Sequence, residues 1–276
     1  MTTSKKNPAK IVIYIMIIAG AVLSIGPFYW MIVGSTLPSG DIFHIPPKLI
    51  PGDYLAKNFQ SLKESLGIGK IFWNSLFIAL VYTGVSTLIS AMAGYAFAKY
   101  KFKGKNLFFF IILCSLMIPY QVTLIPLFEM MVSFNWLNTY QAIILPSLAS
   151  PFAIYLMRQN MQAVPNSIIE ASRVDGAGEI RIFFTIILPV VRPALAAVSI
   201  FLFMSQWNSL IWPLITMNSK EMFTLPVALS SLIGMARIDY GQLMLGTTLS
   251  TIPIMIFFLL LQKHFISGIL GGSVKE

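Results

Sequence analysis

Residues 11–33 read IVIYIMIIAGAVLSIGPFYWMIV and hold no charged side chain. A helix rises about 1.5 Å per residue, so this run spans roughly 34 Å, enough for a bilayer core of about 30 Å. Lys5, Lys6 and Lys10 precede it, as they would in a secretory signal. A signal's apolar core, however, is about 7–15 residues long and ends at small residues. This run is longer and ends in GPFYWMIV, so it is read as a retained first span. Five further apolar runs follow at about 71–98, 107–130, 139–157, 194–217 and 243–262. The chain has 276 residues, 57% hydrophobic and 11% charged, where soluble domains carry about 25% charged residues. The expected fold is all-α: one polytopic membrane domain over residues 1–276, with six transmembrane helices.

Several runs contain proline: Pro119 and Pro126, Pro146 and Pro151, Pro213, and Pro253. Proline removes a backbone donor and kinks a helix. Inside a bilayer, neighbouring helices or a wet cavity must satisfy the freed carbonyl. Orientation follows from Lys and Arg. One side collects 13: Lys5, Lys6, Lys10, Lys99, Lys101, Lys103, Lys105, Arg158, Arg173, Arg181, Arg192, Lys263 and Lys275. The other collects 6: Lys48, Lys57, Lys63, Lys70, Lys220 and Arg237. The positive-inside rule then places both termini in the cytoplasm. Segment 34–70, rich in proline and glycine, is an ordered external loop, either a dry cap or a docking surface.

Composition also narrows the function. The net charge of +9 reflects orientation in a membrane; basic patches interleaved with stacking aromatics are absent, so no nucleic-acid partner is expected. Cys114 is the single cysteine. It can form no internal disulfide, supports no metal site, and reads as packed. Apart from Glu129, no acidic residue and no histidine lies in a span, which argues against a proton relay. There is no G-x-x-x-x-G-K-[ST] phosphate loop and no catalytic constellation. Uphill transport by this chain needs energy delivered through a surface contact.

One segment stands out from the hydrocarbon: residues 170–193, EASRVDGAGEIRIFFTIILPVVRP. Pro165 can open a helix. Ser167-Ile168-Ile169-Glu170 matches a capping box, and Ile168, Ala171 and Val174 recur on one face. Gly176 breaks the run, allowing a positive φ or a close backbone approach, and Asp175 can cap the second helix. Ile180, Phe183, Phe184 and Ile187 then fall at i, i+3, i+4, i+7, an apolar helical face, which Pro189 and Pro193 end. Two short helices about a glycine hinge are expected on the cytoplasmic side. Geometry alone equally allows an amphipathic pair lying on the lipid headgroups.

The residue pattern separates these readings. Glu170-Ala171-Ser172, Gly176, Ile186 and Leu188-Pro189 resemble, in type and spacing, the EAA loop of ABC-importer permeases; Ser172 replaces one alanine of the common pattern. PYQVTLIPLF, WNSLIWPL and the tail HFISGILGGSVKE resemble the maltose-system subfamily of carbohydrate permeases. The resemblance implies a coupling-helix loop, here 159–193 between the fourth and fifth spans, docked on a separate ATPase. It assigns that contact to Glu170, Ala171, Ser172, Asp175, Gly176 and Ala177. It further implies a second homologous permease, two ATPase subunits that bind ATP and Mg²⁺, an extracytoplasmic solute-binding protein, and location in the cytoplasmic (inner) membrane. The chain itself would hold no cofactor or metal and would not be an enzyme. The tail from Phe265 is expected to reach the ATPase, with Gly271 and Gly272 ending its helix.

The implied cargo is a sugar or oligosaccharide. Rival readings are an importer for another solute, such as a glycerol phosphodiester, and a membrane scaffold or enzyme. Ser205, Gln206, Trp207 and Asn208 are candidates to line the path, with Trp207 stacking on a sugar face; interhelical hydrogen bonding is the alternative. Asn74 and Ser75 read as capping or packing residues, and Trp73, Trp136 and Trp212 as interfacial anchors.

Overall fold

The computed structural model describes residues 8–234 and 238–273, and among them every regular element is helical. In chain order the α-helices are α1 (Pro8–Gly34), α2 (Leu55–Leu66), α3 (Ile68–Lys99), α4 (Lys105–Ser115), α5 (Tyr120–Ser133), α6 (Tyr140–Ile144), α7 (Pro151–Gln162), α8 (Asn166–Val174), α9 (Glu179–Ile182), α10 (Leu188–Val190), α11 (Arg192–Trp207), α12 (Ile211–Thr216), α13 (Leu225–Ile233) and α14 (Tyr240–Ser273). Lys5, Lys6, Arg237 and Lys275 of the charge count lie outside the described residues, as do Val274–Glu276 and the side chains of the tail.

Three helices, over Val12–Gly34, Ile68–Lys99 and Tyr240–Lys263, are long and apolar enough to cross a membrane unaided. Three more candidates are pairs bent at short breaks: α4 with α5 at 99°, α6 with α7 at 45°, and the α9–α10 segment with α11 at 84°. The third and fourth apolar runs were expected as single kinked helices. Both are interrupted. Pro119 lies outside the helix before α5, and Pro151 is the first residue of α7, positions where a missing N–H costs nothing. Pro193 likewise opens α11 instead of ending the helix before it.

The chain divides into two compact units. The first comprises residues to Ile68 and Leu229–Ile252. Its α1 is apolar and exposed nearly all round, a surface that lipid satisfies and water does not. At the end of α1, Val33, Leu37 and Ile42 bury against Trp30, Tyr240 and Met244. The segment after α1 is pinned: Asn58 of α2, 4% exposed, donates to the carbonyls of Ser35 and Leu37 at 2.8 and 2.9 Å.

The second unit comprises Gly69–Ala228 and the chain from Pro253. Its core joins Ile78, Tyr82 and Tyr95 of α3 to Ile143, Met157, Ile169, Ile182, Phe183 and Leu202. Gly94 sets the closest approach: a Cβ there would stand 2.7 Å from Met157 Cβ and 2.8 Å from Arg158 N. Small residues let membrane helices touch backbone to backbone in this way.

Asn74 is not a cap, because α3 begins at Ile68. Its amide donates to the carbonyls of Glu221 and Phe223, and its oxygen accepts from the Tyr140 hydroxyl; Ser75 Oγ accepts from Leu225 N at 2.6 Å. Both are packing residues that tie α3 to the segment before α13. Trp212 is not an interfacial anchor either: it is 5% exposed and donates to Ala142 O at 2.8 Å. Trp73, 63% exposed, is free for that role. Gly271 and Gly272 lie within α14, which runs on to Ser273, so they do not end the tail helix where expected.

Candidate ATPase-docking surface

α8 begins after Pro165, whose ring sets its φ, here −61°, and no side chain caps the helix. The capping box therefore does not form. Asn166 starts the helix one residue before Ser167, which places Ser167 inside the first turn. Glu170 is consequently released from a capping role. Its carboxylate is exposed and has no hydrogen bond or ion pair among the described residues.

The buried face of α8 is also not the expected one. Ile169 (3% exposed) and Ser172 (9%) turn inward, while Ile168, Ala171 and Val174 are exposed, Val174 at 88%. α8 carries apolar residues on both faces, and only the inner set meets the core of α3, α7 and α9. Ser172, in place of an alanine, is tolerated because its hydroxyl donates to Ile168 O at 2.6 Å, one turn back.

The helix ends in a Schellman turn. Ala177 N donates to Ser172 O and Gly176 N to Arg173 O, both at 3.0 Å, the paired bonds of that motif. Gly176 holds φ +80°, the region only glycine enters freely. A Cβ there would meet nothing within 4 Å. Of the two roles considered for this glycine, the turn is the one the structure uses. Asp175 is the C-cap of α8 and does not cap α9, whose N-cap is Gly178. Ala177 is half-buried against the core.

After α9, Phe183–Ile187 forms a π turn. One extra residue per turn shifts the apolar register. The buried set becomes Ile182, Phe183 and Ile187, while Ile180 (77% exposed) and Phe184 (47%) face out. The i, i+3, i+4, i+7 face expected from the sequence assumed an unbroken α-helix.

Sequence reasoning missed the residue that holds the turn, Glu179. Its carboxylate accepts from Arg173 Nε at 2.6 Å and Nη2 at 3.3 Å, across the Gly176 turn. The Tyr100 hydroxyl, just past α3, donates to the same carboxylate. The Arg173 hydrogen bond, then that of Tyr100, holds the Glu179 carboxyl below its ordinary 4.5. Burial first, then the Glu179 bond, pushes the Tyr100 hydroxyl up. Arg173 and Glu179 lie six residues apart about a glycine, which no helical spacing rule flags.

A carboxyl whose folded pKa is lowered contributes fully above its ordinary value and loses that contribution as pH falls through the folded value. The tie is therefore whole at neutral pH and released only in acid below about 4.5. Replacing Glu179 by Gln is expected to raise amide exchange over residues 176–181 by about threefold, small because the pair is exposed and screened. Exchange mass spectrometry checks this. The parent should lose protection only in the acid range, and the variant should show no such step.

Of the path candidates, Ser205 and Asn208 are exposed and Gln206 is half-buried, beside the break between α11 and α12. Trp207 is 2% exposed, stacked on Phe203 (centroids 5.7 Å) and edge-on to Phe72 (6.0 Å). Its ring faces are taken by protein. Among the described residues no group of acidic, histidine or cysteine side chains could hold a metal ion.

Known proteins resemble this chain along its whole length. Residues 86–271 match the family described as binding-protein-dependent transport system inner membrane component. The chain is 39% identical, over all of both chains, to the lactose transport system permease protein LacG of Rhizobium radiobacter. It is 37% identical to the arabinooligosaccharides permease protein AraQ of Bacillus subtilis, over 92% of each, and 32% identical to the sn-glycerol-3-phosphate permease protein UgpE of Yersinia pestis, over 94% and 95%. In fold it is similar to a chain of a bacterial ABC transporter that imports the acidic polysaccharide alginate, with TM-score 0.80 and 22% identity over 96% and 99% of the chains. This all-helical chain, with a helix–turn–helix between its fourth and fifth apolar runs, belongs to the family of inner membrane components of binding-protein-dependent transport systems.

Proposed function

We propose that the chain forms half of the translocation path of an ABC importer for a neutral sugar or oligosaccharide. A second homologous permease supplies the other half, and two ATPase subunits bind ATP and Mg²⁺. An extracytoplasmic binding protein delivers the solute. The observation that carries the reading is the outward face of α8: unpaired Glu170 flanked by exposed Ile168, Ala171 and Val174, with Asp175 and Gly176 at its end. A charge amid apolar side chains suits a protein groove, where both are buried together. Ser172 and Ala177 support that face from within.

The inner face explains how a push on α8 reaches the membrane. Ile169 is seated in the core with α3 and α7 residues, and the Arg173–Glu179–Tyr100 tie spans the turn. ATP-driven closure of the ATPases then moves α8, α9 and α11 as one lever, and the path alternates its opening. Ser205, Gln206 and Asn208 line that path at the α11–α12 break, while Trp207 packs behind them.

The names of LacG and AraQ support a saccharide cargo, and UgpE supports a glycerol phosphate at lower identity. A phosphate calls for free guanidinium groups. Arg158 of α7 is engaged, 4.0 Å from the Phe109 ring and bonded to Phe97 O. Reconstitution with the partner subunits decides the matter. Lactose or an arabinooligosaccharide, with binding protein, should stimulate ATP hydrolysis and enter the vesicle, and glycerol 3-phosphate should not. The reverse result would establish the phosphate reading.

Both termini are placed in the cytoplasm by the basic-residue split. In a Cys114→Ala background, a cysteine at Gln60 should react with an impermeant maleimide from outside sealed cells, and one at Ser4 only after lysis. Labelling at Ser4 from outside would overturn the orientation.

A further inference from the structure

Two of the broken spans meet. α5 starts at Tyr120 after the 99° break, and α7 starts at Pro151 after the 45° break. In a membrane, irregular backbone persists only where protein or a water-filled cavity satisfies it. Between these breaks lies a cleft of about 290 Å³, lined by Tyr82, Tyr120, Thr123, Ser147, Ser150 and Trp212 among others, with no charged side chain. Tyr82, Tyr120, Thr123, Ser147 and Ser150 fall in the middle halves of their apolar runs, the depth at which transporters place their solute, while Trp212 lies toward the end of its run.

The lining has a definite chemistry. Tyr120 is 46% exposed, and neither its hydroxyl nor that of Ser147 has a hydrogen bond among the described residues. Thr123 Oγ1 donates to Tyr120 O, and Ser150 Oγ accepts from Ala153 N at 3.4 Å. Each of these keeps capacity for a further bond. Trp212 has spent its N–H on Ala142 O and offers only ring surface. Aromatic faces beside unspent hydroxyls match a sugar ring, whose C–H face is apolar and whose rim is hydroxyl. A phosphate, carboxylate or ammonium would find no counter-charge here. The volume lies at the lower end of small-molecule pockets, about 300–1,000 Å³, room for one ring at a time.

We propose that this chain carries a saccharide-ring subsite of its own, built by Tyr120, Thr123, Ser147 and Ser150 at the two helix breaks. It rests on the importer reading above and names the part of the path that touches the cargo. A linear saccharide would pass through it ring by ring.

The test uses the whole reconstituted importer. In a Cys114→Ala background, Ser147→Cys should react with methanethiosulfonate ethylsulfonate about tenfold faster than Leu259→Cys on the exposed apolar face of α14. A thiol in water ionises more readily than one in lipid. Lactose or arabinotriose, whichever the parent imports, should slow labelling of Ser147→Cys, and glycerol 3-phosphate should not. Tyr120→Ala, assembled as judged by size exclusion, should lower uptake of that saccharide by up to about tenfold, the worth of one aromatic contact. Labelling no faster than at Leu259→Cys, labelling unaffected by the imported saccharide, or parental uptake by Tyr120→Ala each overturns the subsite while leaving the importer reading intact. A parent complex that imports and hydrolyses ATP in response to neither saccharide overturns both.

Discussion

Glu170→Ala and Gly176→Leu are each expected to leave the permease assembled with its partners but to disconnect ATP hydrolysis from uptake. The two variants fail for different reasons. Glu170 has no partner within the described residues, so removing its carboxylate disturbs nothing in this chain. On the proposed coupling role, what is lost is a charged contact with the ATPase, worth about 2–5 kcal/mol when one partner of a buried pair is deleted. The lower figure already corresponds to roughly a thirtyfold weaker seating of α8 within the assembled complex. At Gly176 there is room for a side chain, but the backbone sits at φ +80°. An L-residue there costs about 1–2 kcal/mol and opens the Schellman turn that aims α8. Uptake and substrate-stimulated ATP hydrolysis, measured on the same proteoliposomes, check both. Each variant should lose uptake out of proportion to ATP hydrolysis. If both variants transport like the parent, α8 is not the coupling element.

The second large effect is on stability. Gly94→Leu should destabilise the second unit by about 3 kcal/mol, the upper end for overpacking. A Cβ at Gly94 would collide with Met157 Cβ and with the backbone at Arg158, which cannot rotate away as a side-chain tip can. Gly84 lies on the same helix and would meet nothing within 4 Å. Gly84→Leu should therefore be close to neutral. Thermal unfolding of the two variants in the same detergent makes the comparison. Equal melting temperatures would remove the close α3–α7 contact from the account.

Hydropathy and charge are additive along the chain, so the all-helical membrane class could be read locally. The first apolar run became one continuous helix, Pro8–Gly34, because nothing inside it competes with the helical backbone; Pro27 sits within it without a break. The glycine turn was legible for a similar reason. A glycine between two amphipathic stretches announces a backbone that other residues resist.

The inward face of α8 was decided elsewhere. Ile168 and Ile169 are adjacent and equally apolar, so periodicity allowed either face. Only Ile169 meets the core shared with α3 and α7. The π turn at Phe183–Ile187 moved the buried register by one residue, and no composition rule marks where a helix takes up an extra residue. The breaks before Tyr120 and Pro151 replaced expected kinks, because a proline kinks or interrupts a helix according to what neighbouring segments do with the freed carbonyl. Glu179 found Arg173 and Tyr100 across 6 and 79 residues, a meeting that requires α3 and α8 already to be side by side. The sequence by itself determined that this chain crosses a membrane as helices and carries a charged, glycine-hinged loop between its fourth and fifth apolar runs. Tertiary structure decided which side of that loop faces outward and where the spans break, because both depend on contacts between segments distant in the chain.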